Sequence, residues 1–277
     1  MEEEKYRIID AHCHIFPERI AEKAVKGTDD FYGLSSFGKG TFKDLLAVGA
    51  KDGVDGFVVH SVATSPRQVE TINTFIAEEV ALCPEKLLGL GALHPHSSDI
   101  LGDIEQIEAL GLEGVKLHPD IQNFKADDQL CADIYSICEK KGLPVLIHAG
   151  DSRYDRSNPN RLYPVLQSYP RLKMIAAHLG GWSVWDDVLC LMDFPNLYVD
   201  TCSSFPFLEQ ERAKELIEGF GFSKVLFGTD YPMWRAKEEI AYLLRLGFSV
   251  ENNRKIFSEN IKNIFPKSAL ASLSVQN

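Results

Sequence analysis

Residues 10–14 read Asp-Ala-His-Cys-His. They close a run, Tyr6-Arg7-Ile8-Ile9, that is apolar and β-branched enough for a buried strand. A strand sends alternate side chains to opposite faces, so His12 and His14 point the same way. Two imidazoles side by side on a rigid element supply half of a tetrahedral metal site. The competing reading is a pair of hydrogen-bonded surface histidines. The other histidines bear on that choice. The chain has eight: His12, His14, His60, His94, His96, His118, His148 and His178. Each falls at or just past the C-terminal end of a segment that reads as a strand, and none lies beyond residue 178. Random placement would scatter them over helix faces.

Asp230 joins this set. It ends Val225-Leu226-Phe227-Gly228-Thr229-Asp230, a stretch too apolar to leave exposed. A carboxylate buried alone there would be costly, and a cation beside it removes that cost. The alternative is an Asp capping the next turn before Pro232. Lys116 stays open. In Gly114-Val115-Lys116-Leu117-His118 the apolar pair Val115 and Leu117 belongs on the helix side, which turns Lys116 and His118 toward the opposite face. Such a lysine is either an ammonium for a substrate carboxylate or a structural ion-pair partner. For His60 and His94, a packed histidine at a strand end competes with a substrate contact. His96 reads as a loop residue.

The elements that must carry these side chains alternate. Short apolar strands begin near Tyr6, Gly56, Leu87, Gly114, Pro144, Leu172, Leu197 and Lys224, with amphipathic helical stretches between them. Eight strand–helix units in 277 residues predict a single-domain (β/α)8 TIM barrel over 1–277, with its chemistry at the C-terminal ends of the strands. A doubly wound open sheet would place a glycine-rich phosphate turn after the first strand, where this chain has His-Cys-His. Residues 15–39 form a long connection with Phe16, Phe31, Tyr32 and Phe37, read as a lid-like insertion. Residues 267–277 read as a tail that frays.

Net charge is −11, which argues against nucleic acid or an anionic membrane surface as partner. The start, Met-Glu-Glu-Glu, does not resemble a signal peptide, and no apolar run approaches the ~20 residues of a membrane span. Six cysteines without a C-x-x-C pair read as reduced thiols of a cytoplasmic protein.

Five motifs then stand in order along the chain: Asp10–His14, Gly114–Pro119, Ile147-His148-Ala149-Gly150, Ala177-His178-Leu179-Gly180-Gly181 and Gly228-Thr229-Asp230-Tyr231-Pro232. Together they resemble the amidohydrolase superfamily, and more narrowly its amidohydrolase-2 branch, which includes decarboxylases of aminocarboxymuconate semialdehyde and of γ-resorcylate. The resemblance implies one divalent metal held by His12, His14, His148 and Asp230. It places His178 beside the metal-bound water or substrate as an acid/base group. In binuclear members of the superfamily a lysine at the position of Lys116 is carboxylated and bridges two metals; the mononuclear reading is preferred here. Imidazole and carboxylate ligands suit Zn²⁺, with Mn²⁺, Fe²⁺ or Co²⁺ as alternatives. A metal can lower the pKa of its water to ~7, and Asp230 can both ligate and relay the proton.

The expected activity is metal-dependent hydrolysis of an amide, lactone or ester of a small carboxylated substrate. Non-oxidative decarboxylation or hydration at the same site is the alternative, and a non-catalytic metal-binding barrel is the third. Arg153 and Arg156, after the fifth strand, offer planar forks for a carboxylate, or else form internal salt bridges of a solvated loop. Trp182, Tyr231 and Trp234 are candidate pocket walls. A homodimer is left open.

Overall fold

The structure is a computed structural model and describes residues 5–272. Eight strands follow one another in chain order. They are β1 (Ile9–His14), β2 (Gly56–His60), β3 (Leu87–Gly89 and Gly91–Ala92, interrupted at Leu90), β4 (Val115–Leu117), β5 (Val145–Ile147), β6 (Met174–Ala176), β7 (Leu197–Asp200) and β8 (Val225–Leu226). Each is parallel to its neighbour. Across the interruption, Leu90 N donates to Val59 O and Gly91 N to Gly114 O. The ends meet where Ala11 N donates to Phe227 O at 2.8 Å and Cys13 bridges to Tyr231. The (β/α)8 barrel that the alternation predicts is therefore closed.

The pleat divides the core in two. Val59, Val115, Leu117, Val145 and Ile147 face outward and pack under the helices. Ile9, Val58, Leu88, Leu146, Ile175 and Leu226 face inward and fill the barrel. At the strand N-terminal end, Ile261, Ile264, Phe265 and Leu270 join the inner cluster and plug it. A buried side chain of this kind stabilises by about 1.5–3 kcal/mol, so the plug is a substantial part of the core. Access to the barrel interior is consequently from the C-terminal end, where the polar residues lie.

Three stretches depart from the sequence reading. The 15–39 connection is not loop throughout: α1 (Glu18–Tyr32) occupies its middle and ends at Gly33, whose φ of 67° permits the left-handed stop. Between β6 and β7, where the alternation predicts an amphipathic helix, the chain forms a 3₁₀ segment over Trp185–Leu191. The end of the chain is not frayed through residue 272. Leu270 is fully buried within a helical turn (Ala269–Ser272), and Leu270 O accepts from Arg7 Nη2 at 2.7 Å. The rest of that tail lies outside the described residues.

Around the mouth stand α1, α2 (Phe42–Asp52) and α3 (Val69–Leu82). Thr41 caps α2 by accepting from Asp44 N, and the same Asp44 carboxylate accepts from Tyr231 Oη at 2.7 Å. The turn after β8 is thereby tied to the α1–α2 connection.

Candidate metal centre

His12, His14, Lys116, His118, His148, His178 and Asp230 all line one cavity of about 680 Å³ at the strand C-terminal ends. The tightest group is on β1 and after β8. Asp230 Oδ1 lies 3.5 Å from His12 Nε2 and 3.3 Å from His14 Nε2. Its Oδ2 accepts from Ser203 Oγ at 2.6 Å. Asp10, the first residue of the opening motif, points elsewhere. It accepts from Thr229 N and Thr229 Oγ1 and braces β1 against β8, and burial pushes its carboxyl up to about 6 despite those bonds.

His12 is fixed from behind. Its Nδ1 lies 2.8 Å from Asp200 Oδ2, so Nδ1 carries the proton and Nε2 offers its lone pair to the cavity. Lys116 Nζ donates to that lone pair at 3.0 Å. Burial first, then Lys116, lowers the His12 pKa to about 4, against the pull of Asp200 and Asp230. Burial likewise lowers His14. Burial would raise Asp230, but His12, the His14 hydrogen bond and His178 hold it well below the ordinary carboxylate range. At neutral pH the group therefore presents neutral imidazoles and an ionised carboxylate, the forms that bind metal.

His148 and His178 make the second half. His148 Nε2 donates to Gly150 O at 3.0 Å, and His178 Nδ1 donates to Cys202 O at 3.0 Å. A carbonyl only accepts, so in either ring, when neutral, the remaining nitrogen is a lone pair. Those two nitrogens, His148 Nδ1 and His178 Nε2, face each other at 2.8 Å. Two lone pairs at that separation repel unless a positive charge, a proton or a metal cation, sits with them. A divalent cation thus fits the donor set on the chemistry of these rings. The loops carrying them meet at Gly150 (φ 84°), where a Cβ would stand 2.4 Å from Gly181 C and 2.5 Å from Trp182 N. Only glycine allows that approach, which is the physical content of the His-Ala-Gly and His-Leu-Gly-Gly motifs. His178, Ser203 and Asp230 all have φ between 47° and 61°. Left-handed backbone at three non-glycine residues around one cavity is strain of about 1 kcal/mol or more each, concentrated where the chemistry lies.

The expected ligands do not form one cluster. His12 and His14 group with His60, and His12 and Asp230 with Cys202, whereas His148 groups with His118 and Asp120. His178 connects the halves, its ring 4.7 Å from that of His148 and 5.6 Å from that of His12. His118 stacks on His148 at 4.0 Å, and its Nε2 is held by Tyr32 Oη at 2.8 Å.

Other candidates are placed differently. His60 is buried edge-on against His12 and His14, outside the cavity lining, and neither of its ring nitrogens has a hydrogen-bond partner. His94 also does not line the cavity; its Nδ1 accepts from His96 N. Arg153 and Arg156 are away from the lining as well. Arg153 turns its fork onto Asp151 (2.9 and 2.7 Å) and donates to Phe31 O at 2.6 Å, with its guanidinium against Phe31, Tyr32, Tyr154 and Trp182. Arg156 donates to Asp120 O. The internal salt-bridge reading describes Arg153 better than the substrate fork. Trp182 packs on Tyr32 and Phe207 behind the wall. Asp200 is a site residue that the sequence does not single out, and Tyr32, expected only as part of the lid-like connection, reaches His118. Asp200 had a signal, since it ends β7 as Asp230 follows β8.

A barrel with imidazoles and a carboxylate at its strand ends defines a class of metal-dependent enzymes. The family described as Amidohydrolase matches residues 9–267, and the chain belongs to it. A 2-amino-3-carboxymuconate-6-semialdehyde decarboxylase of Dictyostelium discoideum is 25% identical over 200 residues, 58% of this chain and 55% of that protein, so the match spans about half the length of that relative. Among solved structures, a 5-carboxyvanillate decarboxylase from Sphingomonas paucimobilis superposes with a TM-score of 0.73 at 16% identity, over 95% of this chain and 99% of the other. A dihydroxybenzoic acid decarboxylase from Polaromonas sp. JS666, with bound manganese and the inhibitor 2-nitroresorcinol, gives 0.73 at 14% identity, over 97% and 100%. The chain is a member of the amidohydrolase superfamily. Among the described residues no helix is long and apolar enough to cross a membrane.

Proposed function

We propose that the chain removes carbon dioxide from a carboxylic acid without oxidation, using one divalent metal held by His12, His14, His148 and Asp230, with Zn²⁺ as the expected ion. The observation that carries this reading is the convergence of unprotonated imidazoles and one ionised carboxylate at the base of a largely apolar cavity. The decarboxylases among the relatives support it, and they move decarboxylation ahead of the hydrolysis that the sequence put first.

When bound, the metal supplies Lewis-acid polarisation of a substrate oxygen. The chain's own residues do the rest. Phe16, Ile20, Phe31, Ile72 and Phe75 wall the approach and exclude water. A localised carboxylate is disfavoured there relative to a transition state whose charge is spread as the C–C bond breaks. Lys116, whose pKa burial lowers, stands beside His12 as a nearby donor for an anionic substrate. The carbon that keeps the electron pair takes up one proton, and His178, lining the cavity next to His148, is positioned to pass it on from solvent, its Nε2 first accepting the proton that it then delivers.

Hydrolysis stays as a second reading on one observation. Asp230 is held as a carboxylate, which suits accepting a proton from water better than donating one to carbon. The deciding experiment incubates the metal-loaded protein with hydroxybenzoates, carboxylated lactones and carboxylated amides, measuring carbon dioxide and ring opening in parallel. Carbon dioxide from an aromatic acid, dependent on metal, is the expected result. Lactone or amide cleavage without carbon dioxide release would reverse the assignment.

A further inference from the structure

The cavity mouth has a charge pattern unlike the rest of the molecule. The chain carries −11 overall, yet Asp230 alone among the lining side chains is a carboxylate. Three exposed cations line the mouth: Arg19 and Lys23 on α1, and Arg67 in the turn (Pro66–Gln68) before α3. Among the described residues none of the three has an ion-pair or hydrogen-bond partner. Of the four acids of α1, Glu18 pairs with Lys43, Asp30 with Lys26, and Asp29 accepts from Ser36; Glu22 is exposed and lies outside the cavity lining. Arg19 and Lys23 are four apart on one helix face, a like-charge spacing that costs the helix a few tenths of a kcal/mol. Neither is ion-paired among the described residues, and no carboxylate beside them lines the cavity.

The turn that carries Arg67 is braced. Gln68 Oε1 accepts from Thr64 N at 2.7 Å, Thr64 Oγ1 at 2.9 Å and Ser65 N at 3.1 Å, and Pro66 fixes the first position of the turn. The bracing fixes the backbone from which Arg67 presents its planar fork, the side chain itself being free to turn toward a ligand. Between these cations and the His–Asp cluster Phe16, Ile20, Phe31, Ile72 and Phe75 give the lining an apolar stretch, with uncharged Thr28, Ser61 and Thr71 among them. At about 680 Å³ the cavity belongs with those that enclose drug-sized ligands.

We infer that the substrate is an elongated dicarboxylate. Its reacting end lies at the His–Asp cluster, an apolar segment fills the throat, and a second carboxylate is held at the mouth by Arg67 with Arg19 and Lys23. This rests on the proposed function only for the reacting end. The positive mouth also draws the anion in against the net charge of the protein.

The test is calorimetric titration of the zinc-loaded full chain with decanedioate and decanoate, which differ only in the second carboxylate. It is done on the wild type, on Arg67→Ala and on the double variant Arg19→Ala/Lys23→Ala. The three side chains are exposed and unpartnered, so the variants keep the fold, checked by circular dichroism. Decanedioate is expected to bind the wild type about tenfold more tightly than decanoate, and the ratio to fall toward one in the variants. Equal binding of the two acids by the wild type, a preference that the variants retain, or failure of both acids to bind overturns the inference. Titration of metal-free protein separates it from the reading beneath. If decanoate affinity ignores the metal while the preference for decanedioate persists, the mouth stands and the metal-bound carboxylate falls.

Discussion

Asp200 Oδ2 stands 2.8 Å from His12 Nδ1, with both groups fully buried, and the other oxygen of the same carboxylate accepts from His178 N. One side chain at the end of β7 therefore sets the tautomer of His12 and anchors the backbone of His178. Carboxylates that orient a ligating histidine this way are typically worth 10–100-fold in metal affinity. Asp200→Asn keeps the shape but removes the charge and can reverse the tautomer. It is expected to weaken zinc binding by about that factor, read by competition with a chromophoric chelator, with the circular dichroism spectrum unchanged. Wild-type affinity in this variant would reduce Asp200 to a packing residue.

How much of this was legible in the sequence depends on the kind of signal each residue leaves. His12 and His14 were readable because a strand has a two-residue period and histidine rarely falls in such a place for packing alone. The barrel was readable because eight apolar strands punctuate the chain. Asp200 looked like the ordinary end of Leu197-Tyr198-Val199-Asp200, since its partner is 188 residues away. The cavity's outer half was hidden for another reason. In α1, Gly27, Thr28, Asp29 and Asp30 together read as loop, whereas Ile20, Ala24, Gly27 and Phe31 line the cavity as one helical stripe. That helix carries Arg19 and Lys23 and sets the position of Tyr32, whereas in the sequence the conspicuous arginines are Arg153 and Arg156, open between a carboxylate fork and loop salt bridges.

Lys116 bears on the number of metals. Its Nζ donates to His12 Nε2 at 3.0 Å, the lone pair a metal would also use. Ammonium and metal therefore compete for one atom. Elemental analysis is expected to give about one divalent metal per chain. Lys116→Met should bind metal at least as tightly as the wild type. Two metals per wild-type chain, together with metal loss in Lys116→Met, would establish a carboxylated lysine bridging a binuclear centre.

Arg153 holds the lid-like helix α1. Its donation to Phe31 O, its pairing with Asp151 and its contact with the Phe31 and Tyr32 rings join the end of that helix to the loop after β5. Arg153→Ala is expected to raise amide hydrogen exchange across residues 18–32 by about tenfold, the signature of a segment that opens locally. Exchange unchanged there, with weaker substrate binding instead, would return Arg153 to the role of carboxylate fork.

Glu239 predicts a pH dependence of stability remote from the cavity. It is buried on the helix Ala236–Arg245, and its Oε2 has no hydrogen-bond partner. Burial, reinforced by Asp10, Glu238 and Asp230, pushes its pKa from 4.5 up to about 8. A raised folded pKa contributes stability that is fully present below pH 4.5 and is lost as pH rises through 8. Glu239→Gln cannot titrate. Thermal unfolding should show the variant gaining on the wild type between pH 4.5 and 8, by up to a few kcal/mol, and no further above that window. His12, lowered to about 4, acts in the opposite sense, its contribution disappearing as pH falls from 6.5 toward 4, so each protein is to be compared at matched pH. A difference that does not change with pH would mean that Glu239 is ionised in the folded protein.

Asp230 and His178 share one cavity but are assigned different work. Asp230 Oδ1 sits within 3.5 Å of two imidazole nitrogens, and its charge is part of what holds the metal. Asp230→Asn should therefore lose both metal and turnover. His178 presents a lone pair to His148 Nδ1, so it has two candidate occupations, moving a proton or binding the metal. If it moves a proton, His178→Asn keeps nearly full metal occupancy and loses rate by roughly 10²–10⁴-fold, the usual worth of a positioned acid or base. The comparison belongs at saturating metal, so that occupancy and chemistry are read separately. The His148–His178 contact makes the other outcome equally readable. If His178→Asn strips the metal while His148→Asn leaves it bound, the fourth ligand is His178, and the proton must come from the Asp230 side of the cavity. The expected result is the reverse: metal lost with His148→Asn and rate lost with His178→Asn.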